Sequence, residues 1–235
     1  VKNMLKKITN KQVKWFIFLG ICVGCFYLYT LWPQPLTDNL EADELVLELI
    51  QEHAEYGGGI GSTTKWGYKF MNVDEDVEEE LVAFTQGAVH LGTLLIFDDV
   101  DNNYVFIEEK GWNVVDIKEV VPLVENENMK LFYAPNHTGG TGYHAEIGYM
   151  WYVKNGKIVE AWSGILKEEE YFQHHVQFKI GAFTMNESTS ELYYWLTSTQ
   201  QSYSTQDIEE RELQPAVTTS SVYDFNGGVF IQQNE

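Results

Sequence analysis

Cysteine is all but missing from this chain. Its only two, Cys22 and Cys25, lie close together near the start, and none follows. That excludes structural disulfides, a cysteine nucleophile and a thiolate metal site from the remaining 210 residues. Charge is also missing, locally: no charged residue occurs between Lys14 and Asp38. Acid is absent before Asp38, although the chain holds 35 Asp and Glu in all. Three motif absences narrow the chemistry. The sequence has no H-E-x-x-H zinc helix, no G-x-S-x-G nucleophile elbow and no phosphate-binding P-loop. No internal repeat recurs at a fixed period.

The uncharged run is apolar from Trp15 to Trp32, WFIFLGICVGCFYLYTLW. As a helix it would extend roughly 27 Å, near the hydrocarbon thickness of a bilayer. Trp15, Trp32, Tyr27 and Tyr29 stand near its ends, where amphipathic rings favour membrane interfaces. A cleaved signal peptide would have a shorter apolar run of about 7–15 residues and a small-x-small site. Lipidation of Cys25 would call for a Leu three residues earlier, where Cys22 stands. The expectation is therefore an uncleaved transmembrane anchor over 15–32. Lys2, Lys6, Lys7, Lys11 and Lys14 precede it, which places 1–14 in the cytoplasm and the bulk of the chain outside. One reading of Val1 is a GTG start codon, which would make the outer side a bacterial periplasm or cell surface.

Residues 33–40 read as a linker, and 41–235 as one acidic extracytoplasmic domain. After the apolar run, ten bases face all 35 acids. Such a surface repels nucleic acid, so no nucleic-acid partner is expected.

Glu41–Glu55 has helical spacing, with Leu45, Val46, Leu49 and Ile50 as its apolar stripe. Asp74–Leu91 reads as a second helix, with acids crowding its first turns. Ser188–Thr199 reads as a third. Strands are expected over Thr63–Val73, Thr93–Phe97, Tyr104–Glu108, Trp112–Ile117, Lys130–Ala134 and Gln177–Met185. Asn155-Gly156 between two alternating runs predicts a hairpin joining Tyr143–Val153 to Lys157–Ile165, because Asn and Gly tolerate positive φ. Asn226-Gly227 predicts another, and 200–221 reads mostly as loop. The expected class is α+β: a transmembrane helix, then one soluble domain whose mostly antiparallel sheet is packed by two or three helices.

Three groups carry candidate chemistry. Asn136–Glu146 reads as a glycine-rich loop leading into a strand. There His144 and Glu146, two apart, share a face and suit a metal or a His–carboxylate general base, with His137 assisting. His174 or His175 could add a ligand. Asp99, Asp101 and Asn103 have the D-x-[DN]-x-[DN] opening of a calcium loop. Tyr104 replaces its glycine and Lys110 its final Glu, so an Asx-stabilised turn explains the same residues. Tyr149, Trp151 and Trp162 could line a cleft for an apolar molecule or a sugar ring, or could simply be core.

The functional expectation is a single-pass envelope protein whose outer domain binds a ligand or another envelope protein, with the membrane held by the N-terminal helix. The alternative is an anchored hydrolase or lyase using His144, Glu146 and His137. Whether the chain is an enzyme stays open, and the cofactor expectation is none, or calcium at the Asp99 loop.

Overall fold

Alternation of apolar and polar residues dominates this chain, and alternation is what a strand needs to bury one face. The computed structural model describes residues 40–55, 64–74, 76–87, 91–101, 103–120, 130–186, 188–203 and 211–233. The chain divides into two units, Val1–Asn39 and Leu40–Glu235, and every described residue belongs to the second. Among the described residues one helix, α1 (Leu40–His53), precedes a long series of strands.

The first four strands are β1 (Lys65–Met71), β2 (Glu80–Gln86), β3 (Thr93–Val100) and β4 (Asn103–Lys110). They form an antiparallel sheet in simple order, β1-β2-β3-β4. Next come β5 (Lys118–Val120), β6 (Leu131–Gly140), β7 (Tyr143–Val153), β8 (Ile158–Tyr171), β9 (His175–Met185) and β10 (Leu192–Tyr203). The last are β11 (Arg211–Leu213), β12 (Val217–Asn226) and β13 (Val229–Gln232). These nine make a second antiparallel sheet, ordered β13-β12-β10-β9-β8-β7-β6-β5, with β11 added beside β10.

Three apolar clusters show how the layers stack. Val46 and Ile50 of α1 pack with Tyr68, Leu81, Ala83, Leu95 and Phe97, so the helix covers one face of the first sheet. Tyr68 donates to Asp43 Oδ1 at 3.0 Å, and the His53 ring stacks on Phe106 at 4.9 Å, which fixes both ends of the helix on that sheet. The opposite face holds Val82, Phe84, Leu94 and Ile96, which pack on Phe132, Ala134, Trp151 and Val153 of the second sheet. The second sheet then coils back. Phe225 and Phe230, from β12 and β13, join Leu131, Met150, Tyr152 and Trp162 on its other face. Neighbours along β2, β3, β6 and β7 therefore enter alternate clusters, as a period of two requires.

Several expectations are corrected. The α+β class with two or three helices gives way to a mostly β unit with one short helix among the described residues. No described helix is long and apolar enough to cross a membrane. The membrane-anchor expectation is thereby left without a supporting element, and the predicted span over 15–32 lies outside the described residues. The helix expected over Asp74–Leu91 is a loop followed by β2. Every residue of β2 from Glu80 to Thr85 is buried, because α1 and the second sheet cover both its faces. A strand covered on both sides loses its alternation and reads like a buried helix. The helix expected over Ser188–Thr199 is β10, paired on both sides to β9 and β12. Its run of Tyr193, Tyr194, Trp195, Thr197 and Thr199 favours a pleated surface. Of the expected loop over 200–221, residues 204–210 lie outside the described residues, and the rest is mostly the end of β10, β11 and the start of β12. Trp112–Ile117 is not a strand; it carries one bridge, Val114 to Asn136.

Two expected hairpins form. Asn155 (φ 52°) and Gly156 (φ 65°) are the central residues of the β7–β8 turn, with Lys154 and Lys157 exchanging backbone hydrogen bonds. The second turn falls one residue later than expected: Asn226 pairs with Val229, and Gly227 (φ 61°) with Gly228 turns β12 into β13.

Candidate functional site

The segment expected to be a glycine-rich loop is instead a β-hairpin. Asn136–Gly140 completes β6, Thr141-Gly142 makes the turn, and β7 begins at Tyr143. Gly142 adopts φ 77°, a backbone value that favours glycine. Register then decides which side chains meet. His137 on β6 pairs with Glu146 on β7, and Glu146 pairs with Lys167 on β8. His144 pairs with Gly139 on one side and Glu169 on the other. Directly paired residues project to one face, so two polar rows cross three strands.

A cleft of about 680 Å³ opens there, lined by His137, Thr138, His144, Glu146, Lys167 and Glu169 among others. Gly87, just past β2, and Asn113, between β4 and β5, close part of its rim. Asn113 is fixed because its carbonyl accepts the His137 N–H at 3.1 Å. Gly139 makes room for the neighbouring imidazole: a Cβ there would lie 2.4 Å from the Tyr143 carbonyl oxygen and 3.2 Å from His144 Nδ1.

The charges in the cleft are partly spent. Lys167 Nζ meets Glu169 Oε1 at 2.8 Å, and the Tyr171 hydroxyl donates to Glu169 Oε2 at 3.0 Å. Those two bonds hold the Glu169 carboxyl below its usual range, and His144 adds to the effect. The same partner raises Lys167 and Tyr171. No hydrogen bond joins His137 or His144 to Glu146 among the described residues. Nor do their ligand atoms gather into a metal-sized cluster with a third His, Cys, Asp or Glu. His175 stacks on Phe172 at 4.3 Å, at the β8–β9 turn.

On the same face of β6 as His137, the Tyr133 phenol is pushed up to about 12 by burial, with the Glu146 charge adding to it. Glu168 points to the other face of β8, where it is buried and bridges Lys179 Nζ at 2.6 Å.

The aromatic group does not assemble as one lining. Tyr149 and Trp151 pack between the two sheets, and Trp162 packs in the cluster on the opposite face. A bulge explains the separation: Met150 pairs with Trp162 but Trp151 with Glu160, so Ala161 is extra and both it and Trp162 face the same side. Trp151 is fully buried. Asp99, Asp101 and Asn103 occupy the β3–β4 turn. There Asp101 has φ 56° and its carbonyl accepts the Asn103 amide at 3.2 Å.

A further, acidic group was not singled out from sequence, because its residues read as the start of a helix. Asp74 and Asp76, in the β1–β2 loop, and Glu80, the first residue of β2, bring carboxylate oxygens within 4.8 Å of one another. Burial raises Glu80 to about 7; the Val73 N–H opposes this, and Asp74 and Asp76 add to it. Burial likewise raises Asp98, with Asp76 and Asp74 contributing.

No protein-family model, curated protein or solved structure matches this chain.

Proposed function

We propose that the protein is a binding module whose cleft across β6, β7 and β8 takes a small hydrophilic ligand. One observation carries this reading: five ionisable side chains from three adjacent strands surround a cleft of about 680 Å³. That volume lies inside the roughly 300–1,000 Å³ range of small-ligand sites. Most of the lining residues are polar or charged, which suits a ligand that donates to Glu146 and accepts from the imidazoles of His137 and His144. Lys167 and Glu169 pair with each other along one side of the cleft. The cleft sits on paired strands, and sites on such elements hold their geometry better than sites on loops.

A library of polar fragments followed by ¹H–¹⁵N NMR tests the reading. Binding should shift the amides of Thr138, Ala145 and Lys167 together. His144→Ala and Glu146→Gln should each weaken a hit by about tenfold, the equivalent of one lost hydrogen bond of about 1.4 kcal/mol. Shifts clustered elsewhere, or variants that bind unchanged, would reject it.

The register gives a second reading some support, because His137 faces Glu146 directly across β6 and β7. That pairing suits proton transfer in a hydrolase or lyase. On this reading Glu146→Gln should cut turnover of a responsive ester or glycoside by about 10²–10⁴-fold. Absence of turnover across such a panel would leave binding alone.

A further inference from the structure

Glu80 is fully buried, and its environment is unusual for an acid. Its Oε2 accepts the Val73 N–H at 2.5 Å, while its Oε1 is buried without a hydrogen-bond partner. A buried carboxylate oxygen left unpaired is costly, because nothing replaces the water it lost. Two further carboxylates stand beside it instead of a compensating base. Asp74, Asp76 and Glu80 each bring an oxygen within 4.8 Å of the others. Among the described residues, no ion pair involves any of the three.

We infer that Asp74, Asp76 and Glu80 form a binding site for one divalent cation, of the calcium type. Calcium–oxygen bonds are about 2.3–2.6 Å, so two ligands on opposite sides of one ion stand about 4.6–5.2 Å apart. Separations of no more than 4.8 Å allow all three oxygens to reach one calcium ion. The donor set is all oxygen, which suits calcium or magnesium better than zinc or copper. The local chain is arranged to present it. Asp74 Oδ1 accepts the Asp76 N–H and Asp76 Oδ1 accepts the Glu78 N–H, both at 3.0 Å, which orients the two side chains. The Asn72 amide donates to the Asp76 carbonyl at 2.5 Å and ties the loop to the end of β1. Asp98 lies one step beyond the Leu81–Phe97 pair on the neighbouring strand, so a fourth carboxylate adjoins the site. The ion would neutralise Glu80 Oε1 at the base of the loop and clamp β1 to β2. This site is separate from the β3–β4 turn that carries Asp99, Asp101 and Asn103.

The test uses the full chain stripped with EDTA. Equilibrium dialysis against radioactive calcium should find one ion per chain, and calcium should raise the melting temperature more than magnesium does. Asp74→Asn with Asp76→Asn should weaken binding by about tenfold or more, since affinity follows the number of charged ligands. Both residues are on a loop, so folding is retained and circular dichroism checks it. Glu80→Gln should abolish the calcium-dependent rise in melting temperature, and Asp101→Asn should leave binding unchanged. No binding by the folded wild type, binding indifferent to the Asp74/Asp76 pair, or binding lost in Asp101→Asn would overturn the site.

Discussion

Glu168 shows what a single side chain can cost when its partner is removed. It is buried and meets Lys179, its register partner on β9, at 2.6 Å, with the Tyr143 hydroxyl at 3.3 Å. Lys179→Met keeps the stem and deletes the charge, leaving the acid without its cation. Lys179 is itself partly exposed, so water replaces some of that interaction. Stability should fall by about 1–3 kcal/mol, read from the urea midpoint. Tyr133 makes a pH prediction. Its phenol ionises near 10 when unfolded and near 12 when folded, because burial disfavours the phenolate. Below pH 10 both states keep the proton and nothing changes. Between about 10 and 12 only the unfolded state loses it, so stability falls with rising pH through that window. Tyr133→Phe should flatten the fall in denaturation midpoints measured from pH 9 to pH 11. Both residues are named from three-dimensional neighbours. His137, His144 and Glu146, by contrast, could be selected from their types and spacing. Lys167 and Glu169 completed the cleft only through register, which no local spacing reveals.

At the scale of elements, glycines mark where strands approach too closely for a side chain. A Cβ on Gly181 of β9 would stand 1.8 Å from the Ile165 carbonyl oxygen and 2.8 Å from the Tyr194 hydroxyl. That same hydroxyl donates to the Ile165 carbonyl at 2.7 Å, so the clash would strike both β8 and β10. Gly181→Ala should destabilise by about 2 kcal/mol or more, as overpacking does, and thermal melting of the purified variant checks it. The β7–β8 turn gives a smaller effect. Gly156→Ala forces a side chain into positive φ, with only an ordinary contact to Ile107 at 3.8 Å, for a loss of about 1 kcal/mol. This hairpin was plain in the sequence because Asn-Gly acts locally. β2 and β10 were not. Their apolar residues fit helical and strand spacing alike, and only pairing with β1, β3, β9 and β12 settled the choice.

At the scale of the molecule, the second sheet coils so that β13 reaches β8. Phe225 and Phe230 contact each other at 5.2 Å and close that coil over Tyr152 and Leu192. Phe230→Ala should cost about 3–4 kcal/mol. It should lower one cooperative melting transition; two separated transitions would show that the coiled part unfolds by itself. Far-UV circular dichroism of a fragment spanning 40–235 should be dominated by strand, with a minor helical contribution from α1.

The sequence alone determined features that depend on neighbours a few residues apart. These were the exclusion of disulfide and thiolate chemistry, the acidic balance, helix α1, the Asn155-Gly156 hairpin and the pairing of His144 with Glu146 on one strand face. Even in α1 the stripe was only partly right: Val46 and Ile50 are buried, whereas Leu45 is exposed. Tertiary structure decided whatever depends on what covers a segment. Coverage on both faces turned an apparent helix into β2. A bulge sent Trp162 to the opposite side from Trp151. Strand register assembled the cleft, and the β1–β2 turn folded Asp74 and Asp76 onto the buried Glu80. The physical reason is common to all four: pairing between strands is set by residues distant along the chain, and local propensity cannot encode it.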